Sequence, residues 1–239
     1  MNKDLQNPLV AMLYQAFNGI SLIHADQGVI RATLLHADAS TATTIAQKKE
    51  ATRECVEMNA IGARYSPEHD FAVAGGNAII PVRGGLINRY GYAMSYLTGY
   101  NYIRNAVMAA AADPKIERII LDIDSIGGQV AGCFETADII KEATQTKPVV
   151  AYIDSGCYSA AYAIASACSE IYATPSAGVG SIGVVATHMS VEKMLDNWGI
   201  EVTYVQAGAK KTDGTMLKKL SDTAKADIQA SVDAAYDKF

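Results

Sequence analysis

Tyr152-Ile153-Asp154-Ser155-Gly156-Cys157-Tyr158-Ser159-Ala160-Ala161-Tyr162-Ala163-Ile164-Ala165 reads as a short strand that breaks at Gly156 and passes into an alanine-rich helix opened by the hydroxyl of Ser159. Two readings of Ser159 follow from that position. As a nucleophile it would exploit the helix start, where the first backbone N–H groups lack intrahelical partners and favour developing negative charge. As an N-cap it would satisfy one of those donors and do nothing more, as serines at helix starts commonly do.

The preceding sequence repeats the pattern. Arg118-Ile119-Ile120-Leu121-Asp122-Ile123-Asp124 is a strand closed by Ser125-Ile126-Gly127-Gly128, and Gln129 to Thr144 carries a helical pattern with Val130, Phe134, Ala137 and Ile140 or Lys141 near one face. Lys147 to Ile153 is the next strand, so the chain contains a β-α-β crossover whose two strands are expected to be parallel. The Ser159 helix should run to about Cys168, before a further strand at Glu170-Ile171-Tyr172-Ala173-Thr174. In an open α/β sheet such repeated units bring Gly127-Gly128 and Ser159 to the same end of neighbouring strands, where ligands bind. The glycines are the hinge of a tight turn on a structural reading. On a functional one, the missing Cβ lets backbone N–H groups approach a substrate oxygen, as an oxyanion hole requires. Their spacing fits neither a phosphate loop nor a dinucleotide fingerprint.

Working outward, Ala78-Ile79-Ile80-Pro81-Val82 reads as a buried strand leaving into a turn at Arg83-Gly84-Gly85. Tyr90, Tyr92, Tyr96, Tyr100 and Tyr102 lack interleaved basic residues, which favours core and subunit-contact roles over base stacking. A helix is expected from about Tyr96 to Ala112, stopped by Asp113-Pro114. Downstream, Gly178-Val179-Gly180-Ser181-Ile182-Gly183-Val184-Val185 is a glycine-punctuated loop feeding a strand. Met189 to Trp198 reads as a helix ended by Gly199, and Val202-Thr203-Tyr204-Val205 as a strand. The segment Gln206 to Gly214 resembles a surface turn with two solvated lysines. Ser221 to Phe239 is an amphipathic helix opened by a Ser-Asp cap; its pattern is still running at Phe239, as at a truncated C-terminus. Residues 1–72, with one thinly amphipathic helix over Ala46 to Ala60, read as an accessory or assembly region ahead of a main domain over 73–239.

Half of the 239 residues are hydrophobic, enough for one substantial core. The net charge of -5, without a long basic run, argues against a nucleic-acid partner. Cys55, Cys133, Cys157 and Cys168 lack C-x-x-C spacing, so buried thiols in a reducing compartment are expected, with neither a zinc site nor a disulfide framework. Leu9-Val10-Ala11-Met12-Leu13 is too short to span a bilayer, so neither a membrane anchor nor secretion is expected.

A serine hydroxyl needs a base within hydrogen-bond reach. His24, His36 and His69 fall in the accessory region and His188 follows the glycine loop without a neighbouring carboxylate pattern, which gives a Ser-His-Asp triad little support. Gly156-Cys157-Tyr158 before the serine is not a G-x-S-x-G elbow, and Cys157 lacks a paired histidine. Lysine remains, provided desolvation or nearby positive charge keeps its amine neutral; Lys210 and Lys211 both qualify on that condition.

Six motifs in order then carry a resemblance, extending from about Ala78 to Phe239. They are Ile79-Ile80-Pro81-Val82 with Gly84; Leu121 to Gly128; Lys147-Pro148-Val149-Val150; Tyr158-Ser159-Ala160-Ala161-Tyr162; Gly180-Ser181-Ile182-Gly183-Val184; and Gly208-Ala209-Lys210-Lys211-Thr212-Asp213-Gly214. Together they resemble the serine-lysine peptidases that include signal peptide peptidase A and the phage-type head (capsid) maturation proteases, which share the Clp protease/crotonase fold of repeated β-β-α units. The resemblance implies that Ser159 is the nucleophile and Lys211 the general base, with backbone N–H groups of Gly127, Gly128 and Ala160 around the oxyanion and no metal or organic cofactor. Ile126 stands where the family usually has Pro, and Ala160-Ala161 where Gly is common.

The form of the lysine motif and the expected lack of an anchor look more like the phage or prophage branch. That branch implies scaffold or capsid proteins as substrates, a ring-like homo-oligomer in which Ser and Lys can come from different subunits, and a site of action in the host cytoplasm or inside the procapsid. Three rivals remain: a signal-peptide-peptidase-like enzyme of bacterial protein degradation, a crotonase-like acyl-CoA enzyme, and a catalytically inactive shell component.

Overall fold

The computed structural model of the chain describes residues 20–23, 44–59 and 63–239. These group into two compact units, one within Leu22–Gly183 and the other comprising Val184–Phe239 with Ile20 and Ser21. In chain order the elements up to Gly183 are β1 (Ile20–Ile23), α1 (Ile45–Asn59), β2 (Arg64–Ser66), β3 (Phe71–Ala74), β4 (Asn77–Ile87), β5 (Ala93–Met94) and β6 (Leu97–Gly99). They continue with α2 (Tyr100–Ala112), β7 (Arg118–Gln129), α3 (Cys133–Ala143), β8 (Val149–Tyr158), α4 (Ala160–Ser166), β9 (Glu170–Ala173) and β10 (Gly178–Gly180).

The larger unit is built on a sheet ordered β10-β8-β7-β4-β3-β2. The four strands from β10 to β4 are mutually parallel, and β3 and β2 add an antiparallel edge. The expected α/β class is thus borne out, and so is the parallel pairing across the β-α-β crossover, with Ile119 opposite Val149 and Ile123 opposite Ile153. On one face of β7 Ile119, Leu121 and Ile123 are fully buried, and on the other Ile120 is half-buried and Asp122 buried, so the strand is covered on both sides, as its nearly continuous apolar run suggests. Helix α2 buries Tyr102, Ile103, Ala106, Val107 and Ala110, a one-sided stripe at helical spacing. Of its tyrosines, Tyr100 donates its hydroxyl to Gln129 O at 2.7 Å and Tyr102 to Asp70 O at 2.8 Å, so both serve the core.

Three strands overrun the ends expected for them. β4 continues through Arg83-Gly84-Gly85 to Ile87, and β7 through Gly127-Gly128 to Gln129, because the two pair with each other to their tips: Gly85 faces Gly127 and Leu86 faces Gly128. The glycines therefore serve close approach within the sheet. A Cβ on Gly128 would lie 1.9 Å from Leu86 O, and one on Gly84 1.9 Å from Tyr96 O. β8 likewise passes through Gly156 to Tyr158, since its last three residues pair with β10. These extensions delay the helices that follow, so α3 starts at Cys133 and α2, preceded by β6, at Tyr100.

Arg83, read from the sequence as the start of a turn, is 8% exposed and ion-pairs with Asp122 of the neighbouring strand. Its backbone is fixed by the buried Thr98, whose Oγ1 accepts the Arg83 N–H at 2.8 Å and donates to the Arg83 carbonyl at 2.9 Å. Helix α1 forms where a helix is expected over Ala46 to Ala60, but of the face expected to be apolar, Ala46, Ala51, Cys55 and Met58, only Cys55 is buried; Thr52 and Val56 join it, and Met58 is 71% exposed. The proposed boundary at residues 72/73 falls inside β3.

The smaller unit contains β11 (Val185–Ala186), which pairs antiparallel with Ser21 and Ile20 of β1, then α5 (Glu192–Asn197) and α6 (Asp222–Tyr236). Ser221 caps α6 as expected, its hydroxyl accepting the Ala224 N–H at 3.1 Å. Val202 to Val205, expected as a strand, is irregular, and Val205 is 99% exposed. Four residues of suitable type do not make a strand without a partner ladder to satisfy their backbone. Among the described residues no helix is long and apolar enough to cross a membrane.

Candidate active site

Ser159 sits at the corner between β8 and α4, with φ 54° and ψ −122°. Non-glycine residues rarely adopt positive φ, and such strain persists where the surroundings over-determine it, often at functional sites. The hydroxyl makes no capping bond to the helix, so the N-cap reading of its side chain falls. The Ser159 carbonyl accepts the Ala163 N–H at 3.0 Å, the first intrahelical bond of α4.

The glycine loop after β10 meets this corner from the other side. The Ser159 N–H donates to Gly180 O at 2.8 Å, and its Oγ faces Gly183 O at 3.5 Å, a long and weak contact for a hydroxyl. Ser159 is fully buried, while Ser181 and Ile182 in the same loop are exposed. The loop needs an unusual backbone, with φ 125° at Gly180, 54° at Ser181 and 154° at Gly183. Its glycine spacing is visible in the sequence, but its docking against the serine is not.

Gly127 and Gly128 lie at the end of β7, adjacent to the end of β8, where Ser125 is paired with Cys157. Gly127 has φ 95°, and its N–H donates to Ser125 Oγ at 3.2 Å; that hydroxyl in turn donates to Gly84 O at 2.7 Å. The Gly127 donor is therefore already engaged. Ala160 is fully buried at the first turn of α4, and its carbonyl accepts a 3.6 Å contact from Cys133 Sγ. With seven residues, α4 offers little dipole, so the donors of its first turn matter more than its length.

The sequence profile of Peptidase family S49 matches residues 141–239 of this chain. That match covers 99 of the 239 residues. The head-tail preconnector protein of Enterobacteria phage P21 is 39% identical over 175 residues, 72% of this chain and 35% of that protein. Capsid assembly protease C of Escherichia phage lambda is 37% identical over 171 residues, 71% of this chain and 39% of the relative. Protease 4 of Salmonella typhi is 31% identical over 131 residues, 54% of this chain and 21% of the relative. The chain thus spans only 35% and 39% of the length of the two phage proteins. Among solved structures, an enoyl-CoA hydratase/isomerase from Xanthobacter autotrophicus Py2 aligns over 70% of this chain and 71% of its own, with TM-score 0.37 and 16% identity, too slight a likeness to bear on function.

The S49 segment contains both Ser159 and the two lysines. Lys211 lies exposed on the turn between Gly208 and Gly214, its N–H donating to Gly208 O at 3.1 Å. Lys210 is held by an ion pair to Asp227 of α6, and that contact raises its pKa, the wrong direction for a general base. The other candidates weaken in the same way. Burial pushes the thiol of Cys157 up to about 12, which denies it the thiolate a nucleophile needs. His69 stacks on Phe71 at 5.3 Å and His188 Nε2 contacts Thr215 O at 2.9 Å, so both have structural partners. His24 and His36 lie outside the described residues.

Proposed function

We propose that this chain carries a serine endopeptidase that cleaves scaffold or capsid proteins during assembly of a phage head, with Ser159 as nucleophile and Lys211 as general base. The observation that carries the reading is the strained backbone of Ser159 at a strand-helix corner inside the S49 segment. Its supporting context is the likeness to the two phage proteins, one of them a capsid assembly protease, at higher identity and coverage than Protease 4.

In this mechanism neutral Lys211 takes the proton of Ser159, whose Oγ attacks the peptide carbonyl. The N–H groups of Gly128 and Ala160 hold the oxyanion, and Gly127 orients the strand end through Ser125. Lysine returns the proton to the leaving amine, and water then hydrolyses the acyl-enzyme. Two rearrangements are needed from the arrangement described. The Gly180–Gly183 loop must uncover Ser159, and Lys211, exposed within one chain, must be buried to keep its amine neutral. A homo-oligomeric ring supplies the second, by covering Lys211 with another subunit. The site of action is the host cytoplasm or the procapsid interior.

Co-expression with phage scaffold and capsid proteins tests the reading. Processed fragments should appear with the unaltered chain and disappear with Ser159→Ala, while processing by Ser159→Ala would overturn the assignment.

A further inference from the structure

We propose that Tyr158 is a positioning residue, which holds Ser159 in its strained conformation by clamping β10 onto β8. The inference rests on Ser159 being the nucleophile. Tyr158 is the last residue of β8, and the parallel register places Gly178 opposite Gly156 and Gly180 opposite Tyr158. A Cβ on Gly178 would lie 1.8 Å from Tyr158 Oη and 2.8 Å from its Cζ. A Cβ on Gly156 would lie 2.9 Å from Cε2 of the same ring. Two facing glycines thus leave a bare patch of backbone across both strands, and the Tyr158 ring fills it.

Facing glycines by themselves make a weak junction, because neither contributes a side chain to pack. A ring laid over both replaces the missing contacts and joins the strands. The strand so pinned ends at Gly180, whose carbonyl accepts the Ser159 N–H at 2.8 Å. A chain of contacts therefore runs from the ring, through the seating of β10, to the backbone of the nucleophile. Ser159 has φ 54° and no capping bond from its own side chain, so its conformation must be imposed by such neighbours.

The test compares Tyr158→Ala, Tyr158→Phe, Gly178→Ala and the Tyr158→Ala/Gly178→Ala double variant. Readouts are the rate at which a fluorophosphonate labels Ser159 in folded protein, kcat and KM on a cleavable peptide, and exchange of the Ser159 amide proton. Tyr158→Ala should slow labelling and kcat by about a hundredfold while KM stays within about twofold, the signature of a displaced nucleophile. The Ser159 amide should exchange faster. Tyr158→Phe, which keeps the ring, should restore most of the rate. Gly178→Ala should slow labelling by driving its methyl into the ring, and the double variant should be no slower than Tyr158→Ala, since the two changes act on one contact.

If Tyr158→Ala does not fold, Tyr158→Leu, too short to reach Gly178, takes its place. Labelling of Tyr158→Ala at the unaltered rate, or faster amide exchange without a slower rate, would overturn the inference. All labelling is done on the assembled form; an unaltered chain that resists labelling there would overturn the nucleophile assignment and this role with it, a result distinct from a labelled chain insensitive to Tyr158.

Discussion

The backbone N–H of Ser159 donates to the carbonyl oxygen of Gly180 across 2.8 Å, tying the strained corner after β8 to the glycine loop after β10. Gly180 has φ 125°, where an L side chain is strained even though a Cβ there would meet nothing within 4 Å. Gly180→Ala should therefore shift the acceptor without a steric clash. A loss of about 1–3 kcal/mol in unfolding free energy and slower Ser159 labelling are expected. Chemical denaturation and probe kinetics together check this, and an unchanged labelling rate would separate the loop from the nucleophile.

The Arg83–Asp122 pair is buried, with both residues under 10% exposed and Arg83 Nε lacking a hydrogen-bond partner. Removing one partner leaves the other charge uncompensated, so Asp122→Leu should destabilise the chain by about 3–5 kcal/mol. Arg83→Met/Asp122→Leu, which removes both charges, should lose much less than the sum of its single variants. Urea unfolding of the three variants decides the matter; additive losses would mean that the pair does not act as a unit.

Burial pushes the thiols of Cys133, Cys157 and Cys168 up to about 12, and that of Cys55 up to about 11. At pH 8 they are protonated as well as hidden, so native protein should take up almost no iodoacetamide. The unfolded chain should accept one label on each of its four cysteines. Intact-mass measurement reads both, and Cys157→Ala should retain Ser159 labelling. Rapid native alkylation at Cys157 would restore it as a rival nucleophile.

Gly128 faces Leu86 so closely that an added Cβ would stand 1.9 Å from a backbone oxygen. No rotamer relieves a backbone clash, so Gly128→Ala should force β4 and β7 apart. The midpoint of thermal unfolding should fall by several degrees, as expected for a loss of about 1–3 kcal/mol. A normal transition would mean that the glycine is kept for another reason.

The parallel core was legible because Ile119-Ile120-Leu121 is an unbroken apolar run that places hydrophobic side chains on both faces of one strand, as burial between layers requires. Strand ends were not. Asp124-Ser125-Ile126-Gly127-Gly128 reads as a turn in isolation, and continues as strand because Gly85 and Leu86 lie 42 residues upstream to pair with it. Arg83 has the same history: nothing local marks it as buried, since its partner is Asp122. At the site, the serine was legible from its place between a strand and a helix, whereas its strain, and the pairing of Gly178–Gly180 with β8, depend on contacts distant in sequence. Val202 to Val205 shows the opposite failure, a strand-like composition without a ladder to join.

In the proposed mechanism Ser159 is a nucleophile activated by Lys211. Mass spectrometry of the chain after fluorophosphonate treatment tests it most directly, performed on the assembled form and with Ser159→Ala, Lys211→Ala and Lys210→Ala alongside. One adduct is expected, on the peptide containing Ser159, kept in Lys210→Ala and lost in the other two variants. An adduct that survives Ser159→Ala, or undiminished labelling of Lys211→Ala, would contradict it.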